Sequence, residues 1–205
     1  MRGDSARRQE VYSFLLELCH DLAERKLGGI FIISSPRSFS RLYEPLYPQY
    51  LYDRYLFDKG ARALLLKLAE LDGAFLIGDR GQLVAFGARI KKSQALPGYG
   101  TKHAAAVGIT SHLAQATALL VSEENQWIKV FREGKVILEL DPSQRSPSSL
   151  TQKVVSFLTD HDTALLASAG ASAALAGVFP VVIISGTYLA FRTASGILRK
   201  NLKKS

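Results

Sequence analysis

At 205 residues the chain has room for one domain with a full hydrophobic core and an appendage, but not for two large domains. Its formal charge of +8 is gathered at one end: residues 163–205 hold five basic side chains and no acidic ones, leaving 21 basic against 18 acidic elsewhere. That distribution argues against a general basic coat for duplex DNA or RNA, and the single cysteine, Cys19, excludes a disulfide scaffold or a Cys-based zinc site.

The N-terminus, MRGDSARRQE, has charges with no apolar run behind them, so it does not read as a secretory signal, and the domain is expected in the cytoplasm. Val11, Phe14, Leu15, Leu18, Cys19 and Leu22 recur at helical spacing and predict an amphipathic helix over 9–25, with the thiol serving as a small buried apolar group. Gly28 and Gly29 end that helix before Ile30-Phe31-Ile32-Ile33, a buried strand. Residues 35–57 contain three prolines and five tyrosines without a sustained period. They predict an ordered loop with short helical pieces, its aromatics serving either packing or base stacking.

A helix is expected over 60–71. The runs GAFLIG and LVAFGARI then flank the polar turn Asp79-Arg80-Gly81-Gln82 and predict two adjacent antiparallel strands. After the loop KKSQALPGYG, a short helix starts near Thr101, whose hydroxyl suits an N-cap. TALLVS predicts another buried strand, and WIKVF with KVILEL a further hairpin. Sequential hairpins separated by helices imply an α/β fold: a mixed β-sheet flanked by helices. The turn-forming run from Asp141 to Ser149 marks a boundary, so residues 1–142 form the principal domain and 143–162 a linker with a short helix over 150–158.

From Thr163 to Phe191 there are 29 consecutive uncharged residues, against about 20 needed to cross a bilayer core. Arg192, Arg199, Lys200, Lys203 and Lys204 follow. Residues 163–205 therefore read as a transmembrane segment with a basic tail, either one tilted span or a helical hairpin, in contact with membrane lipid. Small residues such as those of Ala167–Ser172 favour a homo-oligomer. The competing reading is an Ala-rich helix pair buried in a soluble oligomer.

Three polar clusters fall at strand ends or helix starts, where α/β sheets place ligand crevices. Asp72-Gly73-Ala74 offers a carboxylate and two residues small enough to let a ligand approach the backbone. Gly98-Tyr99-Gly100-Thr101-Lys102-His103 joins a glycine-rich turn to a helix N-terminus, with a hydroxyl and two candidate cations. Ser122-Glu123-Glu124 ends the TALLVS strand. Each also has an ordinary structural reading, as a cap, a surface helical residue or a solvated loop pair.

Taken in order and spacing, the three clusters resemble the catalytic domain of diadenylate cyclases, including that of the bacterial DNA-integrity scanning protein, over approximately residues 9–140. The family's Asp-Gly-Ala motif is matched by Asp72-Gly73-Ala74, its Gly-Thr-Arg-His-Arg motif by Gly100-Thr101-Lys102-His103-Ala104, and its Val-Ser-Glu-Glu run by Val121-Ser122-Glu123-Glu124. In such enzymes two domains meet face to face, each holding one ATP, and the 3′-hydroxyl of each nucleotide attacks the α-phosphate of the other. The resemblance implies a nucleotide-binding site of Asp72, Gly73, Ala74, Gly100, Thr101, Lys102, His103, Ser122 and Glu123. Within it, Asp72 would organise the metal and the hydroxyl, and Thr101, Lys102 and His103 would face the phosphates. Asp72 and His103 are the implied catalytic and metal-binding residues if the chain is an enzyme, with Mg²⁺ or Mn²⁺ as cofactor.

Three departures bear on function. Lys102 stands at the first motif arginine and lacks its bidentate fork, and Ala104 stands at the second and carries no charge. Ala69-Glu70-Leu71 replaces the family's Pro-Leu-His lead. On these grounds the expectation leans away from catalysis. It is a membrane-tethered sensor that binds a nucleotide or oligonucleotide signal, needs no cofactor and controls an oligomeric membrane pore, an ion channel by analogy with antiviral defence. The alternative is an active membrane-bound diadenylate cyclase making cyclic di-AMP from two ATP.

Overall fold

The apolar run at Ile30–Ile33 becomes the centre of the molecule because both of its faces are covered. In a computed structural model, which describes residues 2–51, 53–94, 100–142 and 148–159, this segment is strand β1 (Gly29–Ser34), buried throughout. Side chains alternate across a strand, so Phe31 and Ile33 enter one hydrophobic cluster while Ile30 and Ile32 enter another. Around it lie β2 (Tyr43–Pro45), β3 (Ala74–Gly78), β4 (Leu83–Ile90), β5 (Thr117–Val121), β6 (Ile128–Arg132) and β7 (Lys135–Leu140). They form one seven-stranded sheet in the order β2-β4-β3-β1-β5-β6-β7. Only β1 and β3 pair in parallel, with Phe31 opposite Phe75 and their rings stacked at 5.0 Å, and the other neighbours are antiparallel. The expected mixed sheet and both expected hairpins are present.

Helices α1 (Arg2–Glu24), α2 (Ala61–Leu68) and α4 (Ser148–Thr159) cover one face. Helix α3 (Thr101–His112) and a short 3₁₀ turn, Pro36–Phe39, cover the other. The result is a three-layer α/β/α arrangement.

Three elements differ from expectation. Helix α1 begins well before residue 9, since its polar first turns are held by the Arg7–Glu10 pair at 2.8 Å and by Arg7 lying 4.1 Å over the Phe57 ring. The tyrosine-rich stretch contains β2, an edge strand too short to show a period of two. Pro45 and the charged Glu44 on it suit an edge that must not recruit further strands. Helix α4, expected as part of a linker, places Val154, Val155 and Leu158 in the core beside α1, and the Arg132 guanidinium donates to the Leu158 carbonyl. The globular unit therefore runs through Thr159.

The transmembrane segment and basic tail expected at 163–205 lie outside the described residues. Among the described residues no helix is long and apolar enough to cross a membrane.

Candidate functional site

One helix and a 3₁₀ turn do not cover all of the sheet's second face. Where α3 begins, a cleft of about 660 Å³ remains open, floored by Ile30, Ala74, Ala88 and Ile90. Its rim comes from Asp72 and Gly73 before β3, Arg89, Lys91 and Ser93 at the end of β4, and Thr101, Lys102 and Ala105 on α3. Asp72, Gly73, Ala74, Thr101 and Lys102, far apart in sequence, are thus brought to one cavity.

Local geometry explains each contribution. Gly73 has φ +102°, and a Cβ there would lie 2.5 Å from the Gly87 carbonyl carbon and 2.7 Å from the Ala88 nitrogen. The glycine is required by β4 packing against the chain just before β3, rather than by the approach of a ligand, and that packing holds Asp72 at the rim. Gly108, midway along α3, faces the Lys92 carbonyl so closely that a Cβ would fall 1.8 Å from its oxygen. The residues after β4 lie flat on α3 as a result, with the Gln94 N–H donating to the Ala104 carbonyl at 2.9 Å.

The helix start differs from expectation in one respect. Gly100, with extended backbone, is the N-cap; Thr101 is already helical, and no side chain caps this end. The positive end of α3 is therefore left at the cleft beside Thr101 and Lys102, an arrangement favourable to a phosphate.

Helical spacing also divides the motif. Thr101, Lys102 and Ala105 share the cleft side, whereas His103, Ala106, Val107 and Thr110 follow the i, i+3, i+4, i+7 stripe that is buried on the sheet. His103 is 9% exposed, its ring edge-on to Phe131 at 6.0 Å, and it is not among the cleft-lining residues. Burial, followed by the charge of Lys129, pushes its pKa below the ordinary 6.5 against the opposing pull of Glu124.

Gly100, Ser122 and Glu123 do not line the cavity either. Ser122 is buried and closes the turn after β5, donating to the Trp127 carbonyl at 3.0 Å and accepting from the Gln126 N–H at 2.9 Å. Glu123 reaches across to form an ion pair with Lys102, in space left by Gly28, where a Cβ would meet the Glu123 Cγ at 2.3 Å. Gly98 and Tyr99 lie outside the described residues. Among the polar cleft residues, Arg89, Lys91 and Ser93 were not singled out by the sequence, nor were the apolar Ile30, Leu46, Ala88, Ile90 and Ala105. The polar run after Ala88 was the only signal of the polar three, and it reads equally well as a strand leaving the sheet.

An α/β/α domain whose cleft combines a helix N-terminus, the Asp72 carboxylate and the lysines Lys91 and Lys102 has the chemistry that holding an anion of nucleotide size requires. Comparison with known proteins narrows the class. The family model described as "DisA bacterial checkpoint controller nucleotide-binding" (DAC) matches residues 17–136, more than half of the chain, and the chain belongs to that family. It is 29% identical over 140 residues to a protein named diadenylate cyclase from Methanocaldococcus jannaschii, covering 65% of this chain and 45% of that protein. It is 29% identical over 151 residues to a diadenylate cyclase from Haloferax volcanii, covering 69% and 55%. The chain thus spans about half the length of the curated relatives it matches. A crystal structure described as a hypothetical membrane spanning protein from Bacillus cereus shares the fold, with a TM-score of 0.50 at 23% identity over 60% of each chain.

These findings correct the functional expectation. Both relatives carry the name of an enzyme, which supports the cyclase alternative, and nothing in them points to a pore-controlling sensor, an ion channel or antiviral defence. The lean away from catalysis has no support, nor has a lipid partner. The physical reason is the position of Ala104. It does not line the cleft, and α3 is not the only source of positive charge there, because the chain leaving β4 brings Lys91.

Proposed function

We propose that this chain is the cyclase domain of a diadenylate cyclase, forming cyclic di-AMP from two ATP molecules held by two copies of the domain. The observation that carries the reading is that Asp72, Gly73, Ala74, Thr101 and Lys102 converge on one cleft in a chain of this family. Each nucleotide's 3′-hydroxyl oxygen would bond to the other's α-phosphorus as the bond from that phosphorus to the β-phosphate's bridging oxygen breaks. Two phosphodiesters would form, two pyrophosphates would leave, and the hydroxyl protons would pass to solvent.

Such transfer needs positioning and charge stabilisation more than covalent chemistry. Lys102 and the uncapped start of α3 would receive phosphate charge, and the apolar floor of Ile30, Ala74, Ala88 and Ile90 would take a base or ribose face. Asp72 would hold Mg²⁺ or Mn²⁺. Among the described residues no three His, Cys, Asp or Glu side chains cluster to form a self-sufficient metal site. A single carboxylate completed by substrate phosphates is, however, a common setting for such hard cations. When bound, the metal would neutralise phosphate charge and acidify the attacking hydroxyl. His103, packed on Phe131, would support α3 from behind the cleft.

The test is incubation of the purified chain with ATP and Mn²⁺ or Mg²⁺, with mass-spectrometric detection of cyclic di-AMP. Product is expected, and Asp72→Asn should reduce its rate by about a hundredfold or more, the scale for removing a group that stabilises transition-state charge. Absence of product under conditions in which a control cyclase turns over would defeat the reading.

A further inference from the structure

A lysine offers phosphate a point charge on a flexible four-carbon stem, where an arginine would bring a rigid planar fork. What Lys102 can do at the cleft therefore depends on where its ammonium is held. Two glycines locate it. A Cβ on Gly29 would meet the Leu22 and Phe31 side chains, on the α1 side of the sheet. The preceding residue, Gly28, then faces the other side, together with Ile30 of the cleft floor. A Cβ on Gly28 would lie 2.3 Å from the Glu123 Cγ and 2.6 Å from its Oε1. The Glu123 side chain thus lies on the cleft side of the sheet, next to Ile30, and its Oε1 accepts there from the Lys102 Nζ.

The far end of this tether is anchored as well. The Ser122 N–H donates to the Trp127 carbonyl at 3.0 Å, and the Gln126 side-chain amide donates to the Glu123 carbonyl at 2.8 Å, so the turn after β5 holds the Glu123 backbone in place. The Lys102 side chain is 25% exposed and that of Glu123 61%, so the carboxylate is well solvated and the pair adds little to stability. Its consequence is conformational. An ammonium has three donors, and Glu123 takes one, leaving two for phosphate oxygens. A lysine ordered before binding also spares the affinity lost in ordering it on binding. Repulsion between phosphate and the solvated carboxylate opposes this gain, but water and salt screen it.

We propose that Glu123 is a positioning residue that holds the Lys102 ammonium beside the start of α3, and that Gly28 is required because a side chain there would evict Glu123. The inference rests on the nucleotide reading above and gives Glu123 a role exerted through Lys102 rather than by contact with the nucleotide. Gly28→Ala tests position apart from charge, because every charge is kept and the displaced atoms belong to a flexible side chain.

Calorimetric titration with α,β-methylene-ATP and with adenosine compares the wild-type chain with Glu123→Gln, Gly28→Ala, Lys102→Ala and the double variant Lys102→Ala/Glu123→Gln. Glu123→Gln and Gly28→Ala should each weaken the ATP analogue about three- to tenfold. In the Lys102→Ala background, Glu123→Gln should cost nothing further, since its effect passes through the lysine. Adenosine, which carries no phosphate, should bind every variant as it binds wild type. Analogue affinity of Glu123→Gln or Gly28→Ala within about twofold of wild type, a tighter affinity, or a loss that persists without Lys102 overturns the assignment while leaving the nucleotide reading intact. A wild-type chain that binds neither probe defeats both.

Discussion

The two faces of the sheet are built differently, and the difference places the site. Three helices close the first face, with Val11, Leu15, Leu18 and Leu22 of α1 and Val154 and Leu158 of α4 buried to 1% exposure or less. Burial there pushes the Cys19 thiol's pKa far up, so it is an inert packing group. The second face has α3 and one 3₁₀ turn, and its smaller Ala74, Ala85, Ala88, Ala106 and Ala118 leave room that no helix fills. Leaving one face incompletely covered costs apolar burial there and creates a cleft with an apolar floor.

The largest expected effect breaks the closed face. Leu15→Ala removes a fully buried side chain and should lower unfolding free energy by about 2–5 kcal/mol, measured by urea denaturation. A loss below about 1 kcal/mol would mean that this face is less tightly packed than its burial implies.

A smaller effect sharpens the role of the open face. In Gly108→Ala, helix propensity favours alanine by about 1 kcal/mol, but the Cβ would sit 1.8 Å from the Lys92 carbonyl oxygen, and that atom is backbone. The clash wins. Residues 91–94 must shift, so stability should fall by about 1–3 kcal/mol and ATP-analogue affinity should fall with it, because Lys91 and Ser93 are cleft walls. Unchanged affinity would detach that segment from the site.

The smallest effect concerns pH and is expected from the same face. Burial lowers the pKa of His103 from 6.5, so between the folded and unfolded values the unfolded chain binds more protons. Stability from this group is complete above the ordinary value and declines as pH falls below it. His20, also shifted down by burial, adds in the same direction. Thermal melts from pH 7.5 to 5 should show this decline, and His103→Gln should flatten part of it. A His103→Gln slope equal to wild type would assign the dependence to other groups.

Much of the fold was legible because its signals are local. The apolar run at Ile30–Ile33 and the polar turn at Asp79–Gln82 correspond to elements within a few residues of their expected bounds, and the 3.6-residue recurrence around Cys19 to a helix whose end was placed correctly but whose polar start was not. Edge strand β2 was not legible, since three residues cannot display a period. Helix α4 was visible as a helix, but nothing in Leu150–Leu158 alone showed that Val154 and Leu158 would pack on α1.

The site divides in the same way. The order and spacing of Asp72-Gly73-Ala74, Gly100–Ala104 and Ser122–Glu124 sufficed to place the chain in its family, because those residues are consecutive and their chemistry is written in the sequence. Which of them share a cavity depended on helix phase: one position separates Lys102 at the cleft from His103 against Phe131, a rotation of about 100°. Lys91 and Ser93 came beside Asp72 only through the pairing of β4 with β3, and Glu123 met Lys102 only because the turn after β5 lies beside the start of α3. The sequence determined the chemistry available and the elements that carry it. Tertiary structure decided which charges meet, because strand pairing and the gap left beside α3 act between residues that the chain order keeps far apart.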